Sequence, residues 1–334
     1  MRHARLALLL IASLGLSACG RYADFTLPAP PAGPPIHFQW DVRPQPVLNR
    51  GATGEWDSVD ALNPSVVRAG GQLINLYSGF DGKTWHTGLA SSIDGLAWSK
   101  QGKIISPNPA TWEGNYIAAN GSALAEGTHL SYWYQAGDPP RIGLARSPDM
   151  RTWSKEIRPV LDLGPSGSWD ERGVADPYVV RAGVHLYMFY LGMDRAHRQR
   201  LGVAQSVDGV TWTKLRSNPI LELGAAYAFD EIGLGEPAVW ASNGYYWMLY
   251  TGRDRGEIRR IGMARSRDGV KWERTDAAGT LTGGEPWDSK VVCDPSVAIG
   301  ADGIRVWFGG GNVARPDERL NGEIGYAVLR VVPH

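Results

Sequence analysis

Three acidic residues stand before proline in the same local frame: Asp176 in ADPYVV, Glu236 in EPAVW and Asp294 in DPSVAI, about sixty residues apart. Three carboxylates converging in one cleft are what cleavage of a glycosidic bond needs. One must be protonated to hand a proton to the leaving oxygen. Another must stay ionised to activate water or to attack the sugar. Like charges held close drive pKa values apart and so separate the roles. Glu236 suits the proton donor, because its longer side chain can reach across a cleft. Residues so far apart in sequence need a scaffold that repeats.

The chain carries such a repeat. Five segments start alike: WDSVDALNP from Trp56, WEGNYIAAN from Trp112, WDERGVADP from Trp169, FDEIGLGEP from Phe229 and WDSKVVCDP from Trp287. Each precedes an apolar run of strand length that ends at Gly, such as HLYMFYLG or YYWMLYTG. These runs lack clean alternation, so both faces should be covered. Four units continue with a D-G pair between apolar stretches, or a variant of it, as in LGVAQSVDGVTW. That pair is a hairpin signal, because glycine accepts the positive φ such turns require. The fifth unit stops at IGYAVLRVV, and its missing strand has a donor in residues 36–48, IHFQWDVRPQPVL. Trp40 there takes the place of Trp98, Trp153, Trp212 and Trp272. The pattern predicts an all-β chain: a five-bladed β-propeller of four-stranded blades, with the N-terminal strand closing the last blade. A linear solenoid would not need that matching strand.

Repetition also separates scaffold from site. The turn acids Asp94, Asp149, Asp208 and Asp268 recur in every complete unit and read as structural, as do the acids after the leading aromatic, Asp57, Glu113, Asp170, Asp230 and Asp288. The aromatics themselves read as packing. The pre-proline position differs by blade: Asn63, Asn120, Asp176, Glu236, Asp294, with Gly121 in place of proline in the second copy. On the innermost strands these five form a ring at one mouth of the channel, four of them held in an extended start by the proline. A ring of solvated or capping acids would not explain why Glu takes one place and Asp two others.

The five-fold pattern, in ADPYVVRAGVHLYMFYLG and LGVAQSVDGVTW, resembles the five-bladed glycosidases: family 43 arabinanases and xylosidases, the related invertase and levansucrase families, and the family 130 mannoside phosphorylases. The resemblance covers residues 36–332 and implies a carbohydrate substrate. In the family 43 type, an Asp base, an Asp that tunes the acid and a Glu acid come from consecutive blades. GVADP and GEPAVW match the segments carrying the last two, so Asp176 and Glu236 take those roles by resemblance. The blade before Asp176 holds Asn120, and an amide cannot accept a proton as a carboxylate does. Asp294 is then the expected base. The resemblance favours inversion of configuration. A carboxylate separation of roughly 6.5–9.5 Å would mark inverting chemistry and about 5 Å retaining. NPSVVRAGGQLINLYSG also looks like the first blade of the mannoside phosphorylases, where phosphate is the nucleophile. Arg195, Arg255, Arg259 and Arg260, in loops after the second strand, are candidate phosphate ligands or else solvated loop residues. The loop FDGKTWHTG belongs to one blade only, so Trp85 and His86 are candidate sugar contacts. Glu171 and Glu231 follow the blade acid in two blades only, which makes either a candidate secondary acid. No Cys/His cluster has metal-ligand spacing, no Gly-rich loop opens a helix to hold phosphate, and no nucleophile elbow supports a serine triad, so neither a metal nor a cofactor is expected.

The 34 basic and 34 acidic residues cancel, leaving no basic excess for a nucleic-acid partner. MRHAR followed by LALLLIASLGL reads as a secretory signal over residues 1–18. LSAC, ending at Cys19, resembles the lipobox of bacterial lipoproteins, which implies cleavage before Cys19 and lipid on its sulfur. Gly20 then points to the outer membrane. Residues 19–35 read as the lipidated Cys and a Pro-rich tether holding the domain off the membrane, and residues 36–334 as the propeller. Cys293 is the only other cysteine, so no intrachain disulfide is expected once Cys19 is lipidated. A monomer is expected. Two other functions fit the same residues: a cell-surface propeller that binds a glycan without cleaving it, and a glycoside phosphorylase.

Overall fold

The protein is described here by a computed structural model covering residues 22–276, 279–300 and 303–332. Cys19 and the signal residues lie outside the described residues. Almost all regular structure is β. After a two-residue strand β1 (Tyr22–Ala23) and β2 (His37–Val42), the strands fall into five antiparallel sets. The first is β3 (Asp60–Ala69), β4 (Gln72–Phe80), β5 (Trp85–Ser92) and β6 (Ser99–Ile105). The second is β7 (Ala118–Glu126), β8 (His129–Ala136), β9 (Arg141–Ser147) and β10 (Ser154–Lys155). The third is β11 (Gly173–Ala182), β12 (His185–Met193), β13 (Gln199–Ser206) and β14 (Thr213–Leu215). The fourth is β15 (Gly233–Ser242), β16 (Tyr245–Arg253), β17 (Arg259–Ser266) and β18 (Glu273–Thr275). The fifth is β19 (Val291–Gly300), β20 (Gly303–Gly311) and β21 (Glu323–Val332), completed by β2. Trp40 pairs with Leu329, so the N-terminal strand closes the last blade as the sequence predicts. The innermost strands pack in a closed ring, β3 on β7, β7 on β11, β11 on β15, β15 on β19 and β19 back on β3.

The core lies between blades. Tyr187, Phe189 and Val203 of the third blade pack with Val239, Met248 and Tyr250 of the fourth, and comparable clusters fill the other interfaces. The turn tryptophans lock them edge to face: Trp98 on Trp307, Trp212 on Trp133, and Trp272 on Phe189. The turn acids are structural. Asp208 Oδ1 accepts the backbone N–H groups of Val210 and Thr211, both at 2.8 Å. In the equivalent turn the N–H groups of Ala97 and Leu96 hold Asp94 down at about 2.

The blade acids are structural as well. Asp57, Glu113, Asp170 and Asp230 are buried, and each accepts a tyrosine hydroxyl from its own blade and a Lys or Arg from the outermost strand. Asp170, for example, binds Tyr190 at 3.3 Å and Lys214 at 2.6 Å. Asp288 instead accepts the N–H groups of Gly284 and Glu285. The leading aromatics pack beside them. A Cβ on Gly192 would stand 2.2 Å from the Trp169 ring, so the small residue there makes the slot for the indole.

Residues 22–35 depart from the expectation of a tether standing off the domain. β1 pairs in parallel with β14. Leu27 is buried against the third and fourth blades and donates its N–H to Asp268 O. The carbonyls of Pro28, Pro31 and Pro34 accept Tyr246 Oη, Gly244 N and Asn243 Nδ2. Proline supplies an extended chain, and the turns of the fourth blade supply the donors that such a chain leaves its carbonyls free to accept.

Candidate active site

The five ring positions share one backbone geometry that the sequence did not announce. Asn63, Asn120, Asp176, Glu236 and Asp294 all have φ between 45° and 52°. Each sits in a bulge of its innermost strand, where the register slips between Leu62 and Ser65, Ala119 and Ser122, Ala175 and Tyr178, Gly235 and Ala238, and Cys293 and Ser296. The proline was expected to hold the preceding residue extended. Instead that residue is left-handed, a strained state for a non-glycine residue, and worse before proline. The bulge re-aims one side chain per blade. The surrounding ladder holds it there in every blade, acid or amide.

The ring residues line a cavity of about 580 Å³, the size of a small-ligand site. Pro64, Gly121, Pro177, Pro237 and Pro295 line a second, small cavity of about 30 Å³ together with the ring residues. Gly121 replaces proline because the Tyr132 ring would stand 2.5 Å from a Cβ there.

Hydrogen bonds distinguish the carboxylates. Asp294 Oδ2 accepts the Asn63 N–H at 3.2 Å and the Cys293 thiol at 3.1 Å, and the Asp294 N–H is held by Thr251 Oγ1 at 3.1 Å. The Asn120 side chain lies beside Asp176 and favours its charged form. Asn120 itself is fixed by Ser78, whose hydroxyl donates to Oδ1 at 3.0 Å and receives the backbone N–H at 2.9 Å. Glu236 Oε2 is buried and has no hydrogen-bond partner. Burial and then the Glu236 charge push Asp294 up to about 8. Burial, then Glu236 and Asp294, push Asp176 well above the usual carboxylate range, against Arg259 and Asn120. Asp176 and Asp294 therefore tend to retain protons near neutral pH, and these belong to the cluster rather than to single residues.

One buried cation faces the trio. Arg259 lines the cavity and donates to the carbonyls of Arg315, at 3.2 Å, and Pro316. It thereby ties the loop after β20 to the pocket wall. Arg319 N and Leu320 N of the same loop bind buried Asp60 at 2.6 and 2.9 Å.

Of the other predicted contacts, Asn63, Asn120 and Trp85 line the cavity; Trp85 is stacked on Phe80 with centroids 4.8 Å apart. His86 does not line it. Strand alternation turns it to the other face, where it is buried against Ser106 at 2.9 Å and Asp81 at 3.5 Å. Arg195 and Arg255 also lie elsewhere. Arg195 binds Glu171 at 3.0 Å and Arg255 binds Glu231 at 3.1 Å. The two glutamates read as candidate secondary acids are thus the partners of these arginines, in equivalent places on the third and fourth blades. The sequence held that signal, since both residue types occur in those blades together. Arg253 and Gln199 also line the cavity, 3.0 Å apart, and were missed. Gln199 and Arg259 open β13 and β17 as Trp85 opens β5, so comparing that one position across blades finds them. Among the described residues no group of His, Cys, Asp and Glu could hold a metal ion.

The model of the glycosyl hydrolases family 32 N-terminal domain matches residues 72–288. The chain belongs to this family. This family 32 protein is also similar to two uncharacterized proteins of Mycobacterium tuberculosis, from strains CDC 1551 and H37Rv. Each is 29% identical over 230 residues, covering 64% of this chain and 75% of the relative. Solved structures share its fold. One described as a glycoside hydrolase has a TM-score of 0.69 at 17% identity, covering 91% of this chain and 92% of the other. The family 117 glycoside hydrolase Zg3597 of Zobellia galactanivorans has a TM-score of 0.65 at 16% identity, covering 88% and 91%. The family 32 β-fructofuranosidase of Bombyx mori has a TM-score of 0.62 at 17% identity, covering 87% and 63%. The family 32 match makes the chain a glycosidase, the activity class that its three carboxylates called for, and its substrate a carbohydrate.

Proposed function

We propose that the glycosidase hydrolyses a bond within an oligo- or polysaccharide, using Asp176, Glu236 and Asp294. The observation that carries this reading is the buried Glu236 Oε2, without a hydrogen-bond partner in the same ring where Asp294 accepts two hydrogen bonds. A protonated Glu236 has one O–H to give and no protein acceptor to lose it to, so it donates to the leaving oxygen. Asp294 accepts an N–H and an S–H, bonds that favour the charged form. With the proton on Glu236, the charge that adds to burial in raising Asp294 is gone, the two bonds to its Oδ2 favour the ionised form, and Asp294 acts as the base for water. Asp176, beside Asn120, holds the proton balance between them. Water delivered by a separate base inverts the anomeric carbon.

The test is product analysis on arabinans, xylans, fructans and mannans, with and without phosphate. The expected outcome is hydrolysis of one class, unaffected by phosphate, with inverted product. Glu236→Gln is expected to abolish it, and an aryl glycoside whose leaving group needs no proton should recover much of the rate. Binding without cleavage by the unaltered protein would sink the catalytic reading, and phosphate-dependent turnover would make it a phosphorylase. Export as an outer-membrane lipoprotein, acting as a monomer, completes the proposal. It rests on the signal sequence and Cys19.

A further inference from the structure

The turns that join first to second strands and third to fourth strands lie at the end of the propeller opposite the cavity. The cavity is lined instead by the starts of first strands and by the loops between second and third strands. Four aliphatic side chains at that far end are open to solvent: Ile93 at 85%, Val184 at 77%, Val207 at 69% and Ile299 at 70%. They come from three different blades and follow no core pattern. Arg151, Arg267 and Lys271 are exposed on the same set of turns, as are the turn acids Asp94, Asp149 and Asp208.

Residues 22–35 run along this end. Leu27 is seated at the Asp268–Gly269 turn, and Pro31 and Pro34 at the Asn243–Gly244 turn. β1 stands beside the start of β14, just past the turn that carries Val207. Two residues separate Cys19 from Tyr22, and the three peptide steps span about 10 Å at most. A lipid on Cys19 therefore has no tether with which to hold the domain away.

We infer that the turn face opposite the cavity lies against a lipid bilayer, with the aliphatic tips at the headgroup boundary, and that the cavity opens away from the membrane. Aliphatic side chains on a face rimmed by charges of both signs gain from burial at the interface. The inference rests on lipidation of Cys19 and is independent of the catalytic roles.

It is tested on the full lipidated chain in phosphatidylethanolamine–phosphatidylglycerol vesicles containing a headgroup-quencher lipid. Single cysteines at positions 93, 184, 207 or 299 carry a fluorophore; Cys293 is buried and stays unlabelled. Tyr227, 90% exposed beside Arg255 on the cavity side, is replaced in the same way as the control. Labels on the turn face are expected to lose most of their emission, several-fold more than the Tyr227→Cys label. Equal loss, or greater loss at position 227, overturns the orientation. Turn-face labels unquenched on chains that float with the vesicles place the tips against something other than lipid and overturn it too. The chain is expected to float and Cys19→Ser not to; if neither floats, the inference fails with the lipidation it needs, whatever the glycosidase assays give.

Discussion

Two rings of polar residues run around this propeller, one per blade, and they behave oppositely. The blade acids Asp57, Glu113, Asp170 and Asp230 are buried, and each has a tyrosine and a cation within hydrogen-bond reach. The pre-proline ring has a fixed backbone and a variable side chain: two amides, two aspartates and a glutamate, all left-handed. Its acids face one another and share a single buried guanidinium, Arg259. A carboxylate that arrives with a tyrosine and a cation in four blades, and with backbone N–H groups in the fifth, is a brace. One that arrives without them, in three blades only, is held at an energetic cost that a scaffold has no reason to bear.

The contrast breaks if the two rings respond alike to substitution. Asp176→Asn is expected to lower kcat by about 10²–10⁴-fold with no loss of thermal stability, because it removes a buried carboxyl pressed against two others. Lys214→Met should do the reverse. It leaves Asp170 buried without its cation, costing about 3–5 kcal/mol of stability, while kcat/KM of the protein that remains folded stays near that of the unaltered enzyme. Denaturant unfolding and initial rates on the same preparations decide it. Activity lost in Lys214→Met ahead of stability would make the blade acids part of the chemistry.

The pH dependence sharpens the same contrast. Burial and the Glu236 charge push Asp294 from its ordinary 3.8 up to about 8 in the folded cluster, so the native trio holds a proton that the unfolded chain has released. Below about pH 4 both states hold the proton. Between about 4 and 8 the unfolded chain releases it and the native state keeps it, so this group's contribution to stability is lost as pH rises. Unfolding midpoints are expected to fall from pH 5 to pH 8, and Asp294→Asn to flatten that slope. An unchanged slope in the variant removes Asp294 from the proton-holding trio.

Whatever repeats was legible in the sequence. The blades, the closing strand, the turn acids and the ring followed from aligning the chain on itself. What escaped was what repetition does not carry. The loop after β20 that Arg259 ties down occurs once. His86 was placed by its loop, yet alternation along β5 turns it from the cavity that Trp85 lines. Arg195 and Arg255 were placed by loop position alone, and their glutamates claimed them first. Residues 22–35 read as a free linker because proline-rich composition reports stiffness, not whether a surface offers donors to its carbonyls.

The ring's left-handed backbone was hidden for another reason: proline argued for the opposite conformation, and only the ladder on either side overrides it. That override sets the smallest effect predicted here. If the bulge is imposed by the scaffold and merely tolerated by the side chain, Asn63→Gly removes a mild left-handed strain and raises stability by up to about 1 kcal/mol. Asparagine already tolerates this region, which keeps the gain small. The Asn63 N–H to Asp294 survives the change because it belongs to the backbone. The acid cluster should therefore keep its pH profile while the unfolding midpoint rises slightly. A fall in stability instead would mean that the Asn63 side chain, and not the blade, holds the bulge, and the ring would then be five local solutions rather than one scaffold device.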